Sequence, residues 1–326
     1  MKYKPLLFFL LSLKMAAFAT NDCTCQNIRP SCETFVCIEG AGLEKTRNYL
    51  DLSFDLIYWQ AKQGPFFDLA TFDSNGTLQY VFPENPLRWG FKLAAGVYLN
   101  AIDADLLTKY TFFYNKQQLG KYQFITTPSD VGNNFSKLGN YYGNYFNQLF
   151  FLINRGFSAG PFFCFSSAGG VFLGWDDQWF SDKGIYTDGT SATTFNHQKW
   201  WGIGPYGCVE SAFIFPEFPT PYCKKAQMDL FFQMGGALAW SEINPSFYYV
   251  DNSYRVANCW DLGTLLEMNL GVRFDGVFGS EEKAVKFGGK IAWETQFWPS
   301  HIYNLEGLTP LDFQMQGLTF GLNIRY

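Results

Sequence analysis

The side chains of this 326-residue chain best placed to do chemistry are charges set singly among apolar neighbours. Asp51, Asp55, Asp105, Glu267, Asp275 and Glu294, with Lys92, Lys109, Arg273, Lys290 and Arg325, occupy alternate positions of stretches such as "LDLSFDL" and "LLEMNLGVRFD". Successive side chains of an extended chain point to opposite faces, so these charges share one face and the apolar residues take the other. Inside a closed sheet, charges of both signs can pair across the lumen as a polar plug. Alternatively they can line a water path and set ion preference. Either way the chemistry is electrostatic rather than covalent.

Covalent chemistry has little to stand on. His197 and His301 are the only histidines, and neither H-E-x-x-H nor G-x-S-x-G occurs. No catalytic residue is expected, and a hydrolytic triad assembled only in space is the enzymatic alternative. "GIGPYG" at 202–207 has the G-x-G-x-x-G spacing, but Pro205 follows the second glycine and no helical period comes after it. It therefore reads as glycines easing a strand, not as a nucleotide cradle, and no cofactor is expected. Trp175 and Trp179, beside Asp176 and Asp177, read as loop aromatics for which carbohydrate binding is an alternative.

Eight cysteines complete the inventory. Cys23, Cys25, Cys32 and Cys37 cluster near the start, whereas Cys164, Cys208, Cys223 and Cys259 are scattered. The cluster lacks the paired C-x2-C spacing of common zinc sites, so disulfides within or between chains are expected over a metal.

The start of the chain points to export. Lys2 and Lys4 precede the apolar "LLFFLLSL", and "AFA" at 17–19 is a small-x-small cleavage site, so 1–19 reads as a signal peptide. Residues 20–47 then form a cysteine-rich periplasmic segment. Charged residues are 16% and aromatics 20% of the chain, mean hydropathy is −0.09, and net charge is −5. Apolar residues are interleaved rather than massed, and nothing offers nucleic acid a basic footprint.

The positioning elements are strands. Ten segments alternate or carry aromatic, glycine-rich β character, near 48–60, 88–100, 103–115, 142–155, 158–173, 198–214, 226–241, 262–276, 286–298 and 315–326. Connections alternate long and short, as in an outer-membrane barrel with short periplasmic turns and long extracellular loops. The expectation is an all-β, antiparallel transmembrane barrel of about ten strands over 48–326. Twelve strands is one alternative, and a soluble β-sandwich with its apolar face inward is another. Tyr58, Trp59, Trp89, Tyr98, Tyr114, Trp240, Trp293 and Trp298 read as girdle aromatics. The final "LTFGLNIRY" is patterned to its last residue, as the strand that closes a barrel on its first must be.

With these strands in place the chain resembles the Legionella-type major outer membrane protein family, which also occurs in chlamydia-like bacteria. The resemblance lies in "LDLSFDLIYWQA" (50–61), "GPFFCFSSAGG" (160–170), "WWGIGPYG" (200–207), "LEMNLGVRFD" (266–275), "AWETQFW" (292–298) and "MQGLTFGLNIRY" (315–326). It implies a porin-like outer-membrane barrel admitting small solutes or ions and contributing to envelope structure. The alternative is a non-conducting structural or adhesion barrel acting through its loops and disulfides. The resemblance further implies that Phe320, Leu322, Ile324 and Tyr326 belong to a terminal signal read by the barrel assembly machinery. It also implies cysteines that link envelope proteins or copies of the chain. Outer membrane lipids and lipopolysaccharide are the remaining expected partners.

Overall fold

The computed structural model describes residues 49–63, 70–72, 78–80, 86–99, 101–122, 125–126, 135–160, 162–186, 191–218, 225–249, 252–255, 258–278, 285–304 and 309–326. The signal peptide, the cysteine-rich segment with Cys23, Cys25, Cys32 and Cys37, and Cys223 lie outside them.

Period-2 alternation becomes a closed ring. Its strands are β1 (Leu50–Gln63), β4 (Arg88–Leu99), β5 (Ala104–Tyr122), β7 (Phe135–Ser158), β8 (Phe163–Tyr186), β9 (Ser191–Ile214), β10 (Lys225–Tyr249), β12 (Cys259–Phe278), β13 (Val285–Asn304) and β14 (Thr309–Arg325). Four short strands lie off this path: β2 (Ala70–Phe72), β3 (Leu78–Tyr80), β6 (Ile125–Thr126) and β11 (Asn252–Arg255). Each ring strand pairs antiparallel with its chain neighbours, and β14 pairs with β1 from Phe313↔Gln63 to Arg325↔Asp51. The ends then lock: Tyr326 N–H donates to Leu50 O at 3.0 Å, and Leu50 N–H to Tyr326 O at 2.9 Å. The ring has no free edge. The ten-strand expectation holds, and the twelve-strand and sandwich alternatives do not.

The two faces separate as the alternation requires. On β14, Leu318, Phe320, Leu322, Ile324 and Tyr326 point out and are exposed, while Thr319, Gly321 and Arg325 point in and are buried. On β12, Leu266, Met268, Leu270 and Phe274 point out, and Glu267, Asn269 and Asp275 in. A continuous exposed apolar band suits hydrocarbon and would be costly in water. Aromatic pairs rim the band at both ends. Tyr58–Trp89 (4.4 Å), Tyr114–Tyr145 (4.6 Å) and Trp240–Trp260 (5.7 Å) stand at one end. Phe157–Phe165 (5.5 Å) and Phe278–Phe287 (5.6 Å) stand at the other, where the tight turns and the Leu50–Tyr326 junction lie.

Several expectations need correction. The stretch expected as a loop between 173 and 198 is, over its described residues, the paired continuation of β8 to Tyr186 and of β9 from Ser191. Trp175 and Trp179 therefore stand on the outer face of β8, and His197 and His301 lie within β9 and β13 rather than in loops. Trp59, Tyr98 and Trp298 are not girdle residues but point inward and are buried. Cys208 and Cys259 form no disulfide, which removes them from the disulfide set, whereas buried Cys164 is disulfide-bonded. "GIGPYG" lies within β9, where Pro205 has no N–H to give. There the pairing with β10 skips Gly204 and Pro205, running from Tyr206↔Ala237 to Ile203↔Trp240.

Candidate functional site in the barrel lumen

Inward residues form two layers. Toward the end away from the tight turns, the interior is a packed aromatic plug. Trp298 of β13 meets Phe146 of β7 (5.6 Å), Phe172 of β8 (5.6 Å) and Trp200 of β9 (5.3 Å), and all four rings are buried. Trp59, Phe113, Phe313 and Met315 fill the space around them. β13 is no sheet neighbour of β7, β8 or β9, so the contacts of Trp298 cross the lumen.

A β-bulge brings one further residue into the plug. The β13–β14 register shifts between Trp298 and Ile302, and Ser300 takes the left-handed conformation with φ 54°. The Ser300 N–H donates to Asp312 Oδ1 at 3.0 Å, which holds the bulge. Regular alternation from Trp298 would send His301 outward, and the bulge, in which residues 299–301 stand opposite Asp312 alone, turns it in. His301 stacks on Phe313 (5.7 Å) and lies against Trp200 (4.5 Å), with Nε2 3.3 Å from Asp176 Oδ2. Gln178 donates to the same carboxylate, and Gln198 Nε2 donates to the His301 carbonyl at 3.2 Å.

Beneath the rings, an amide bridge spans the lumen. Gln148 Nε2 donates to Gln296 Oε1 at 3.0 Å, and Gln296 Nε2 donates back to Gln148 Oε1 at 3.1 Å. Their strands, β7 and β13, lie five places apart in a ring of ten, on opposite walls. Gln148 is 0% and Gln296 1% exposed, so no water reaches them.

Toward the turn end the lumen is ionic. Lys92 of β4 pairs with Glu294 of β13 across two intervening strands, and Lys290 of β13 reaches Asp55 of β1 at 2.7 Å over β14. The second pair has room because the residue between them is Gly321, where an added Cβ would run into both Asp55 and Lys290. Arg273 of β12 binds Asp229 at 3.1 Å and Glu210 at 2.8 Å, its guanidinium 5.0 Å over Phe231. Lys286 lies 3.1 Å from Asp275, and Arg325 pairs with Asp51 while stacking 4.3 Å from Tyr49. The Lys286–Asp275 pair is 1% exposed on both sides, and breaking a pair so desolvated leaves an uncompensated charge, which costs more than the pair itself contributes.

All the charges expected inside are inside: Asp51, Asp55, Lys92, Asp105, Lys109, Glu267, Arg273, Asp275, Lys290, Glu294 and Arg325 face the lumen, none fully exposed. Asp105 accepts from the Tyr49 hydroxyl at 2.9 Å. Sequence reasoning missed Asp176, Glu210, Asp229, Lys286, Gln148, Gln296 and His301. The first six sit on the wet face of their strands, so extending the alternation would have found them. His301 would not have been found, because only the bulge brings it in.

No protein-family model matches the chain, and no curated protein matches it. Among solved structures, it is similar to the outer membrane protease OmpT of Escherichia coli, at 12% identity over 85% of this chain and 96% of that one, with a TM-score of 0.41. It is also similar to the Pseudomonas putida toluene transporter TodX (10% identity, 86% and 89% covered, TM-score 0.27). A Pseudomonas aeruginosa FadL homologue gives 8% identity, 86% and 90% covered, and a TM-score of 0.28. Scores this low assign neither activity nor substrate to the chain.

Proposed function

We propose that the chain is an outer-membrane barrel of the cell envelope whose lumen is held shut at rest by its own side chains, so that it serves the envelope through its wall and outer strands. The observation that carries this reading is the reciprocal Gln148–Gln296 bridge beneath the Trp298 ring cluster. An open porin would leave water between those walls. The resemblance to Legionella-type major outer membrane proteins fits the same place in the cell, reached after signal-peptide cleavage near Ala19. On that reading the cysteines of 20–47 link neighbouring envelope proteins, and lipopolysaccharide surrounds the outer end. The reading assigns no catalytic step to the chain; His301 and Asp176 serve it as buried members of the plug.

A second reading, porin-like passage of small solutes or ions, is favoured by the ionic lower half, where the inward Lys290 side chain is 30% exposed. Passage would require the ring layer to open. Planar-bilayer recording of the refolded barrel separates the two. Silence at low voltage, with conductance appearing in Trp298→Ala combined with Gln296→Ala, is the expected result. Steady ohmic conductance of the unaltered barrel would overturn the closed reading.

A further inference from the structure

Below the amide bridge, side chains that point into a closed ring are partly exposed: Lys290, Arg273 and Glu210 are all reached by solvent, and Asp51 at the turn end is 25% exposed. Solvent can reach them only from within the lumen. Accessible space therefore remains around these side chains in the lower half of the lumen, a chamber ending at the buried amide bridge.

At that bridge end two charges stand apart. Lys109 of β5 points inward, one pleat below Thr111, whose register partner on β7 is Gln148. Glu267 of β12 points inward beside Gln296, its register partner on β13. In the ring, β5 and β12 are five places apart, so Lys109 and Glu267 face each other from opposite walls just under the bridge. No ion pair or hydrogen bond reaches Lys109 among the described residues. Glu267, 8% exposed, accepts a long 3.3 Å hydrogen bond from Asn269 Nδ2 and has no cation in ion-pair reach. The other lumenal cations described above each have their carboxylate.

We propose that this end of the chamber binds a small zwitterion of the free amino acid class, its carboxylate on Lys109 and its ammonium on Glu267. Glu267 is buried without a cation, which is costly, and Lys109, half-buried on the facing wall, has no carboxylate of its own. A molecule carrying both complementary charges a few bonds apart satisfies both walls at once, where a simple anion or cation satisfies one. Neutral polar groups line the space between, with Gln233 donor to none of the charges but itself bonded by Asn269 at 3.1 Å, and the free Cys208 thiol beside Tyr206. A metal ion does not fit, since among the described residues no three His, Cys, Asp or Glu side chains converge. The proposal rests on the closed-lumen reading. A conducting barrel would sink that reading, whereas failure of the binding measurement sinks this one.

The test is isothermal titration of the refolded barrel in detergent with glycine, acetate and ethylammonium chloride at neutral pH, with heat-modifiable migration as the folding check. Glycine is expected to bind saturably, and acetate and ethylammonium each to bind roughly tenfold or more weakly, since each forfeits one charged hydrogen bond. Lys109→Met and Glu267→Gln are each expected to abolish glycine binding. The exchange of Lys109→Glu with Glu267→Lys keeps the lumenal charge and is expected to restore it, with the ligand reversed. A folded exchange variant that binds no glycine would overturn the proposal, as would acetate binding as tightly as glycine or wild-type barrel showing no saturable glycine binding.

Discussion

Gln148 and Gln296 grip each other by both halves of their side-chain amides, at 3.0 and 3.1 Å, from strands on opposite walls of the barrel. Each amide thereby satisfies one donor and one acceptor in a place water does not reach, and the pair fixes the distance between the two walls. Trp298 sits on the same wall one pleat above Gln296, so bridge and ring cluster form one unit.

Replacing the central ring of that unit should cost much. Trp298→Ala leaves a cavity bounded by Phe146, Phe172 and Trp200, and a loss of about 3–5 kcal/mol is expected, as for other large aromatic truncations in tight cores. Reversible urea unfolding in lipid vesicles measures it. A loss below 1 kcal/mol would mean that the rings are not a packed plug.

The outer face makes a depth-dependent prediction. Leu270, exposed in the middle of β12, and Leu262, exposed beside Trp260 near its end, both face out. Leu270→Arg should destabilise by about 2–4 kcal/mol and Leu262→Arg by about 0–1, the usual fall from bilayer midplane to interface. Equal costs would remove the bilayer from the account of this face.

Two glycines on adjacent strands should respond oppositely. Gly321→Ala pushes a methyl into Asp55 and Lys290 and should destabilise by about 1–3 kcal/mol through overpacking and loss of the pair. At Gly289, which faces out, the nearest atom to an added Cβ is Gly321 O at 3.7 Å, so Gly289→Ala should be neutral or slightly stabilising. Matched unfolding curves of the two variants decide the matter.

The closing seam can be tested in cells. Removing Tyr326 deletes both backbone hydrogen bonds to Leu50, and Phe320→Ser with Tyr326→Ser strips apolar area from the same face at roughly 25 cal/mol per Å². Both variants are expected to be exported and to accumulate as protease-sensitive chains, whereas Asn323→Ser inserts almost normally. A protease-resistant, heat-modifiable band from the Tyr326 deletion would defeat this expectation.

Much of the architecture was legible because a barrel wall between lipid and a polar lumen writes its two faces into alternate residues. Leu266 to Asp275 and Leu318 to Tyr326 declared their faces without help, and every expected lumenal charge faces in. Legibility failed where that contrast fades. Past the apolar band the outer face of β8 and β9 meets water, so Asp177, His197 and Lys199 look like loop residues although their backbones are paired. At Trp59, Tyr98 and Trp298 residue type outweighed phase: an aromatic near a strand end suggested a girdle, whereas its position in the alternation pointed inward. Contacts across the lumen, such as Lys92 with Glu294, depend on how the sheet closes, and nothing local in the sequence encodes them.

The joining of Tyr326 to Leu50 has a further consequence. Because strand order around the ring follows strand order along the chain, and both ends meet on the same rung, the circle has no structural beginning. A gene opened between Tyr186 and Ser191, with a linker joining Tyr326 to Leu50, would encode the same order of strand pairs around the ring. What such a rearranged gene would move is Tyr326, from the closing end of the barrel to the middle of its sequence, with its two hydrogen bonds to Leu50 still in reach.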